Sequence, residues 1–355
     1  MTNFKNFVAV GVGSLLLLFS VPAAAQIYST KADFAVLVDV GSGMTLFEKD
    51  ANARMAPASM AKMMTLAVVF DALKRGELAL HDELPMSENA WRKGGGGSGG
   101  STMFIDPKTE TVSVENLVRG IAVQSGNDAC IVVAEGMSGN EESFAIRMNE
   151  LAKSIGMTNS NFTNSTGLPD AAQYSTARDL AILGRYLVEE FPDLYAIFAE
   201  PEFTWNNIRQ FNRNPLLKAK LGGDGIKTGF TKESGFGIAG SARQGDRRLL
   251  LVVNGLKSRK ERSEETRRML TWGFRSFESR TVFDKGEVIG GARVFGGEKG
   301  RVEVVSERPV AVLLPKGEKG RLTAKVHYKG PLQAPVEAGQ AVGNLVIKLD
   351  GREIQ

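Results

Sequence analysis

A serine and a lysine three positions apart, Ser59 and Lys62, lie in a helix-like stretch running from Met55 to Phe70. Three apart on a helix puts the two side chains one above the other on the same face. A hydroxyl beside an amine is a nucleophile with its base already in place. The positive end of the helix favours both a developing oxyanion and a neutral lysine. Ser-x-x-Lys alone arises by chance in most chains of this length. Two further stretches, in a fixed order behind it, give it weight: Ser125-Gly126-Asn127 follows a helix-like segment, and Lys227-Thr228-Gly229 lies on a strand-like one.

The elements that must position these groups can be read from periodicity. Pro57 suits the first turn of a helix, where its missing N–H is not needed. Met63, Leu66, Ala67 and Phe70 then recur at helical spacing, and Gly76 stops the run. Ahead of this helix, residues 34–40 and 44–48 read as a hairpin around Gly41-Ser42-Gly43. Residues 114–123 read as a helix ending at the Ser-Gly-Asn turn, and another helix begins near Asp128. Helical patterns follow at 142–155 and 176–190, with breaks at Pro192 and Pro201. Strand-like runs at 226–230, 235–242 and 247–254 form a meander, and a last helix spans 259–277. Strands at both ends bracket a helical middle, which predicts an α+β (α/β) domain with one antiparallel sheet flanked by helices. From Thr281 the composition shifts to short β-branched runs between glycine turns, predicting a small all-β module that serves as a spacer or interaction domain. The run from Gly94 to Gly100 lacks the Gly-Lys-Ser/Thr ending of a phosphate loop. It reads as a flexible loop rimming the site or as an introduced linker.

Residues 1–25 read as a secretory signal: Lys5 supplies the positive start, residues 8–19 the apolar run, and Ala23-Ala24-Ala25 the cleavage site. An uncleaved anchor is the alternative. The expected organisation is therefore signal 1–25, catalytic domain 26–280 and β domain 281–355, outside the inner membrane. The net charge of +4 is spread along the chain, which gives no case for nucleic acid. Cys130 is the single cysteine and sits among apolar neighbours, so it reads as a packing residue. With only His81 and His327, a Ser-His-Asp arrangement, a zinc site and any other cofactor are not expected.

The three motifs resemble those of the low-molecular-mass penicillin-binding proteins that act as D-alanyl-D-alanine carboxypeptidases. Residues 124–130, 225–229 and 270–275 extend the likeness, as does the trailing β domain. Gly126 stands where the related S-D-N motif has aspartate. The resemblance implies a fold like that of serine β-lactamases and penicillin-binding proteins. Ser59 would attack the carbonyl between the two terminal D-alanines of a peptidoglycan stem, forming an acyl-enzyme, with Lys62 as general base. Burial and the ammonium of Lys227 would hold Lys62 below an ordinary lysine. Ser125 would relay a proton to the leaving amine, and Asn127 would hold the substrate amide. Lys227, Thr228 and Gly229 would line the edge strand beside the substrate. Backbone N–H groups of Ser59 and Phe230 would form the oxyanion hole. Phe230 is a departure, since some relatives carry histidine there. Thr228, with Arg275, would grip the terminal carboxylate, although Arg275 reads equally as a helix-surface charge.

The resemblance makes peptidoglycan stem peptides the substrate and β-lactams covalent inhibitors. The rival readings are a D,D-endopeptidase of cross-links and, from another class, a non-catalytic cell-wall scaffold. A β-lactamase lacks support, because no glutamate has the context needed to activate a hydrolytic water. Relatives of this architecture often continue into an amphipathic C-terminal helix. The hairpin signalled by Asp350-Gly351 looks unfinished, so the sequence predicts a longer native product that is peripherally membrane-bound.

Overall fold

The computed structural model describes residues 28–354, so the signal expected at 1–25 lies outside the described residues. The chain begins with β1 (Phe34–Asp39) and β2 (Thr45–Lys49). A short 3₁₀ turn, Ala58–Ala61, leads into α1 (Lys62–Arg75), which Gly76 ends in the left-handed conformation. Next come β3 (Glu83–Pro85), α2 (Glu88–Gly94), β4 (Thr111–Ser113) and α3 (Val114–Arg119). The segment expected as one helix over 114–123 thus changes character at Gly120, and residues Gly120–Gln124 wind as a wider π-type turn. After it run α4 (Asn127–Ser138), α5 (Glu141–Ser154), α6 (Ala177–Glu190) and the short α7 (Pro192–Tyr195).

A hairpin that the sequence reading did not anticipate follows, β5 (Glu202–Trp205) and β6 (Ile208–Phe211), turning through Asn206 and Asn207 at positive φ. The expected meander then appears as β7 (Gly223–Thr231), β8 (Gly235–Gln244) and β9 (Arg247–Leu256), and α8 (Arg259–Ser276) closes the series. The main sheet has the order β2-β1-β9-β8-β7, antiparallel throughout, with β7 at its edge.

Period-two alternation divides the core between the faces of this sheet. Leu37, Leu249, Leu251 and Val253 join Met269 and Leu270 of α8 on one side. Val36, Leu250 and Val252 join α1, α4 and α6 on the other. The expectation of one apolar stripe on α1 gives way here: every residue from Lys62 to Phe70 is buried. Helices α4, α5 and α6 together with β7 cover this stretch of α1, so it needs no polar face before the exposed Lys74 and Arg75.

The second part of the chain is all β. Strand β10 (Phe277–Phe283) continues directly from α8, so the composition shift at Thr281 falls inside it. It pairs with β13 (Val310–Pro315), while β11 (Val288–Phe295) pairs with β12 (Arg301–Val305) and β15 (Leu332–Gln333). Strand β16 (Gly343–Leu349) lies between β14 (Leu322–Tyr328) and the two-residue β17 (Arg352–Glu353), beyond the Asp350-Gly351 turn. Val312, Leu314, Ile347 and Leu349 form its small core. Among the described residues no helix is long and apolar enough to cross a membrane.

Candidate active site

The turn that carries Ser59 is set by close backbone packing. Ala58 adopts a positive φ of 47°, a conformation costing a non-glycine residue on the order of 1–3 kcal/mol. Two glycines make room for it. A Cβ at Gly167 would come 1.9 Å from the Ala58 carbonyl oxygen, and one at Gly229 would come 3.1 Å from that of Pro57. Strand β7 and the 164–168 loop therefore close on the nucleophile turn only because both positions lack side chains. Ser59 itself stays half-buried at the mouth of a cleft of about 530 Å³.

Lys62 is fully buried. Its Nζ donates to Ser59 Oγ at 3.2 Å, to Asn127 Oδ1 at 2.8 Å and to the Thr166 carbonyl oxygen. Burial lowers its pKa; the neighbouring Arg213 acts in the same direction, and the carboxylates of Asp128 and Glu141 oppose it. Lys227 on β7 is 3 % exposed and makes one long bond, 3.4 Å, to the Thr228 carbonyl oxygen. Burial drives it well below the ordinary lysine range, helped by the charges of Lys62 and Arg213. Cys130, buried in α4, has its thiol pushed up to about 12 by burial, so it stays neutral and packs.

The Ser-Gly-Asn turn sits where the π-type turn meets α4. Ser125 has a positive φ of 68°, and its buried Oγ has no hydrogen-bond partner. A strained backbone that holds an unsatisfied hydroxyl is costly unless the hydroxyl has work to do. Asn127 is the first residue of α4, and its Oδ1 is already taken by Lys62.

Ser59, Ser125, Asn127, Thr228, Gly229 and Phe230 all line the cleft, and Lys62 and Lys227 lie buried against it. Phe230 is 51 % exposed and stacks on Phe236, with ring centroids 4.1 Å apart. The glycine run forms part of the rim, through Gly99 and Gly100.

The structure does not bring Arg275 to this place. It is exposed near the end of α8, in a separate surface hollow with Tyr28, Arg268 and Trp272. Three other arginines line the cleft instead: Arg213, Arg259 and Arg262. Arg213 donates to Ser101 Oγ at 2.6 Å. Arg262 is 7 % exposed, its Nε has no partner, and burial with Arg259 and Arg213 pushes its pKa down to about 10. It remains charged at neutral pH. Arg259 and Arg262 also stand in the first turn of α8, the end where the helix dipole disfavours cations. Clustered, unfavourably placed positive charge, desolvated at Arg262, fits a site for an anion.

Comparisons with known proteins find relatives over almost the whole chain. A family profile described as D-alanyl-D-alanine carboxypeptidase matches residues 21–258, and one for the penicillin-binding protein 5 C-terminal domain matches residues 277–355. The D-alanyl-D-alanine carboxypeptidase DacC of Escherichia coli is 39% identical over 365 residues, covering 100% of this chain and 91% of its own. DacA of Haemophilus influenzae is 40% identical over 90% of this chain and 81% of its own. Among solved structures, penicillin-binding protein 5 from Haemophilus influenzae superposes with a TM-score of 0.84 at 38% identity, covering 93% of this chain and 96% of that one. Penicillin-binding protein D2 from Listeria monocytogenes, solved in an ampicillin-bound form, matches at TM-score 0.63 and 27% identity over 70% of this chain and 99% of that one. The chain belongs to the D-alanyl-D-alanine carboxypeptidase family of penicillin-binding proteins.

Proposed function

We propose that this chain is a serine-type D-alanyl-D-alanine carboxypeptidase, removing the terminal D-alanine from peptidoglycan pentapeptide stems through an acyl-enzyme. The observation that carries the reading is the fully buried Lys62 in hydrogen-bond contact with Ser59. Neutral Lys62 takes the proton of Ser59 as Oγ attacks the carbonyl carbon of the scissile amide. The carbonyl π electrons move to oxygen, and the backbone N–H groups of Ser59 and Phe230 face that oxyanion. Collapse of the tetrahedral intermediate breaks the C–N bond. Ser125 Oγ passes a proton to the departing amine and recovers one from the lysine pair. Water then repeats the sequence on the ester, regenerating Ser59 and releasing the shortened stem.

Asn127 contributes twice: its Oδ1 orients Lys62, and its Nδ2 is left for the substrate amide. Lys227, Thr228 and Gly229 line the edge strand on which the peptide lies. Thr228, Arg213 and Arg262 take the terminal carboxylate, the role Arg275 was expected to fill. β-Lactams acylate Ser59 by the same attack, with ring opening in place of amine departure. We assign the enzyme to the periplasm, in catalytic and β parts divided near β10.

Labelling with a fluorescent penicillin, followed by mass spectrometry of products from purified muropeptides, tests the reading. The expected result is a covalent adduct on Ser59 and release of D-alanine from pentapeptides. An unlabelled protein would overturn it, as would cleavage of cross-linked dimers in preference to pentapeptides.

A further inference from the structure

The strap from Ser101 to Ile105 has no regular structure, yet it is tied to the site at both edges. Asn127 N donates to the Ser101 carbonyl oxygen at 2.7 Å, on the side of the Ser-Gly-Asn turn. On the other side, Arg213 donates to Ser101 Oγ at 2.6 Å and Gln210 Nε2 to the Met103 carbonyl oxygen at 2.9 Å. Between them lies the carboxylate of Asp128, 0 % exposed, on the first turn of α4. Oδ2 accepts from Thr102 Oγ at 2.6 Å and Ile105 N at 3.2 Å; Oδ1 accepts from Met103 N at 2.9 Å and Ala129 N at 3.0 Å. All four donors are uncharged. Two glycines leave room here, Gly126 for the carboxylate and strap and Gly94 for the backbone of α4. A Cβ at Gly126 would lie 2.8 Å from Asp128 Oδ1 and 3.0 Å from Met103 N, and one at Gly94 would lie 2.2 Å from Asp128 N. Gly126 is the position where the S-D-N motif has aspartate; here a carboxylate stands two residues further on, in the first turn of α4, and reaches the strap.

We propose that Asp128 is a positioning residue: its carboxylate clamps the Ser101–Ile105 strap onto the Ser-Gly-Asn turn, fixing Asn127 and Arg213 relative to Lys62. A plain packing role would not need a carboxylate. Only an ionised group presents acceptors on both oxygens to four donors; an amide in its place turns an NH₂ toward two of them. The clamp thereby joins the group that orients the base to a group that faces the substrate's anionic end.

The same carboxylate contributes to the electrostatics of the base, behind burial and Arg213. Facing Lys62 are Asp128 and the neutral thiol of Cys130 from α4, Glu141 from α5, Lys227 from β7, and Arg213 beyond β6. Asp128 and Glu141 favour the ammonium, whereas Arg213 disfavours it. Removing the Asp128 charge therefore lowers the pKa of Lys62 further, independently of any loss of geometry.

The two effects separate in a pair of variants, measured as second-order acylation by a fluorescent penicillin across pH. The inference rests on the Ser59–Lys62 assignment; wild-type protein that fails to label defeats that assignment, whereas the variants judge Asp128. Thr102→Val removes one donor to the carboxylate, together with the acceptor for Phe104 N within the strap, and keeps the charge. It is expected to slow acylation several-fold, with the acid limb of the pH profile unmoved. Asp128→Asn is expected to slow acylation roughly 10- to 100-fold, the range set by misplacing catalytic groups by about an ångström, and to move the acid limb to lower pH. A folded Asp128→Asn protein with wild-type rate and limb would overturn the proposal, as would a folded one that loses rate uniformly with no shift. Should Asp128→Asn not fold, Thr102→Val decides: acylation within twofold of wild type overturns the clamp, and a several-fold loss at an unmoved limb supports it.

Discussion

Replacing Arg262 by glutamine tests whether the cleft's arginines, rather than Arg275, hold the substrate's terminal carboxylate. Arg262 is 7 % exposed with an unpartnered Nε, so an arriving carboxylate meets a guanidinium that has already lost its water. A hydrogen bond involving a charged group contributes roughly 1.5–3 kcal/mol, and each ~1.36 kcal/mol is tenfold in rate. The expected loss in kcat/KM on a peptide ending in D-alanyl-D-alanine is therefore roughly 10- to 160-fold. Arg213 remains in place and holds the loss toward the lower end. The same peptide with its C-terminus amidated has no carboxylate to lose, so its slower cleavage should change by less than about threefold. Arg275→Gln, on the exposed end of α8, should leave both substrates within about twofold of wild type. Two results would refute the reasoning: an equal loss on acid and amide in Arg262→Gln, or a selective loss on the acid in Arg275→Gln.

Ser59→Ala should abolish penicillin labelling and D-alanine release while leaving the thermal transition near that of wild type; any adduct on the variant sinks the nucleophile assignment. Lys62 must be neutral to accept a proton, and burial keeps its folded pKa below the ordinary lysine value. Acylation should therefore fall as pH drops through that lowered pKa, and a profile flat into acid would contradict it. Lys227 bears on stability with a definite sign. Its folded pKa lies well below its unfolded value of about 10.4. Between those two values the unfolded chain binds more protons, and stability rises with pH. Lys227→Met should thus be more stable than wild type at neutral pH, by on the order of 1–3 kcal/mol. The gap should narrow in alkaline melts; one that widens would reverse the argument.

The residues that announced themselves in the sequence did so through local order. Ser59 and Lys62 share a turn, Ser125 and Asn127 share another, and Lys227 to Phe230 occupy one strand, so spacing alone could group them. The arginines had no such pattern. Arg213 follows a hairpin hidden between Pro201 and the Gly225 strand, and Arg259 and Arg262 come from a helix that offers many basic residues. Arg275 was suggested by residue type and family likeness, but thirteen positions separate it from Arg262 on the same helix. At 3.6 residues per turn this is a rotation of roughly 220° and a rise of roughly 20 Å, so the two cannot serve one cleft. The burial of α1 on every side from Lys62 to Phe70 was also illegible, because an alanine- and valine-rich run looks the same whether its neighbours cover one face or all of it. Only the tertiary packing of α4, α5, α6 and β7 decides that.

The three acceptors around Lys62 Nζ are not equivalent. Asn127 Oδ1 and the Thr166 carbonyl oxygen can only receive hydrogens, whereas Ser59 Oγ can receive one or give one. A neutral amine keeps two hydrogens and gains a lone pair, arranged tetrahedrally. The two carbonyl-type oxygens claim both hydrogens, which leaves the lone pair pointing along the remaining direction, at Ser59. Losing one proton thus converts the ammonium into an aimed base without rotating a bond. The aim is built into which neighbours of the nitrogen are unable to donate.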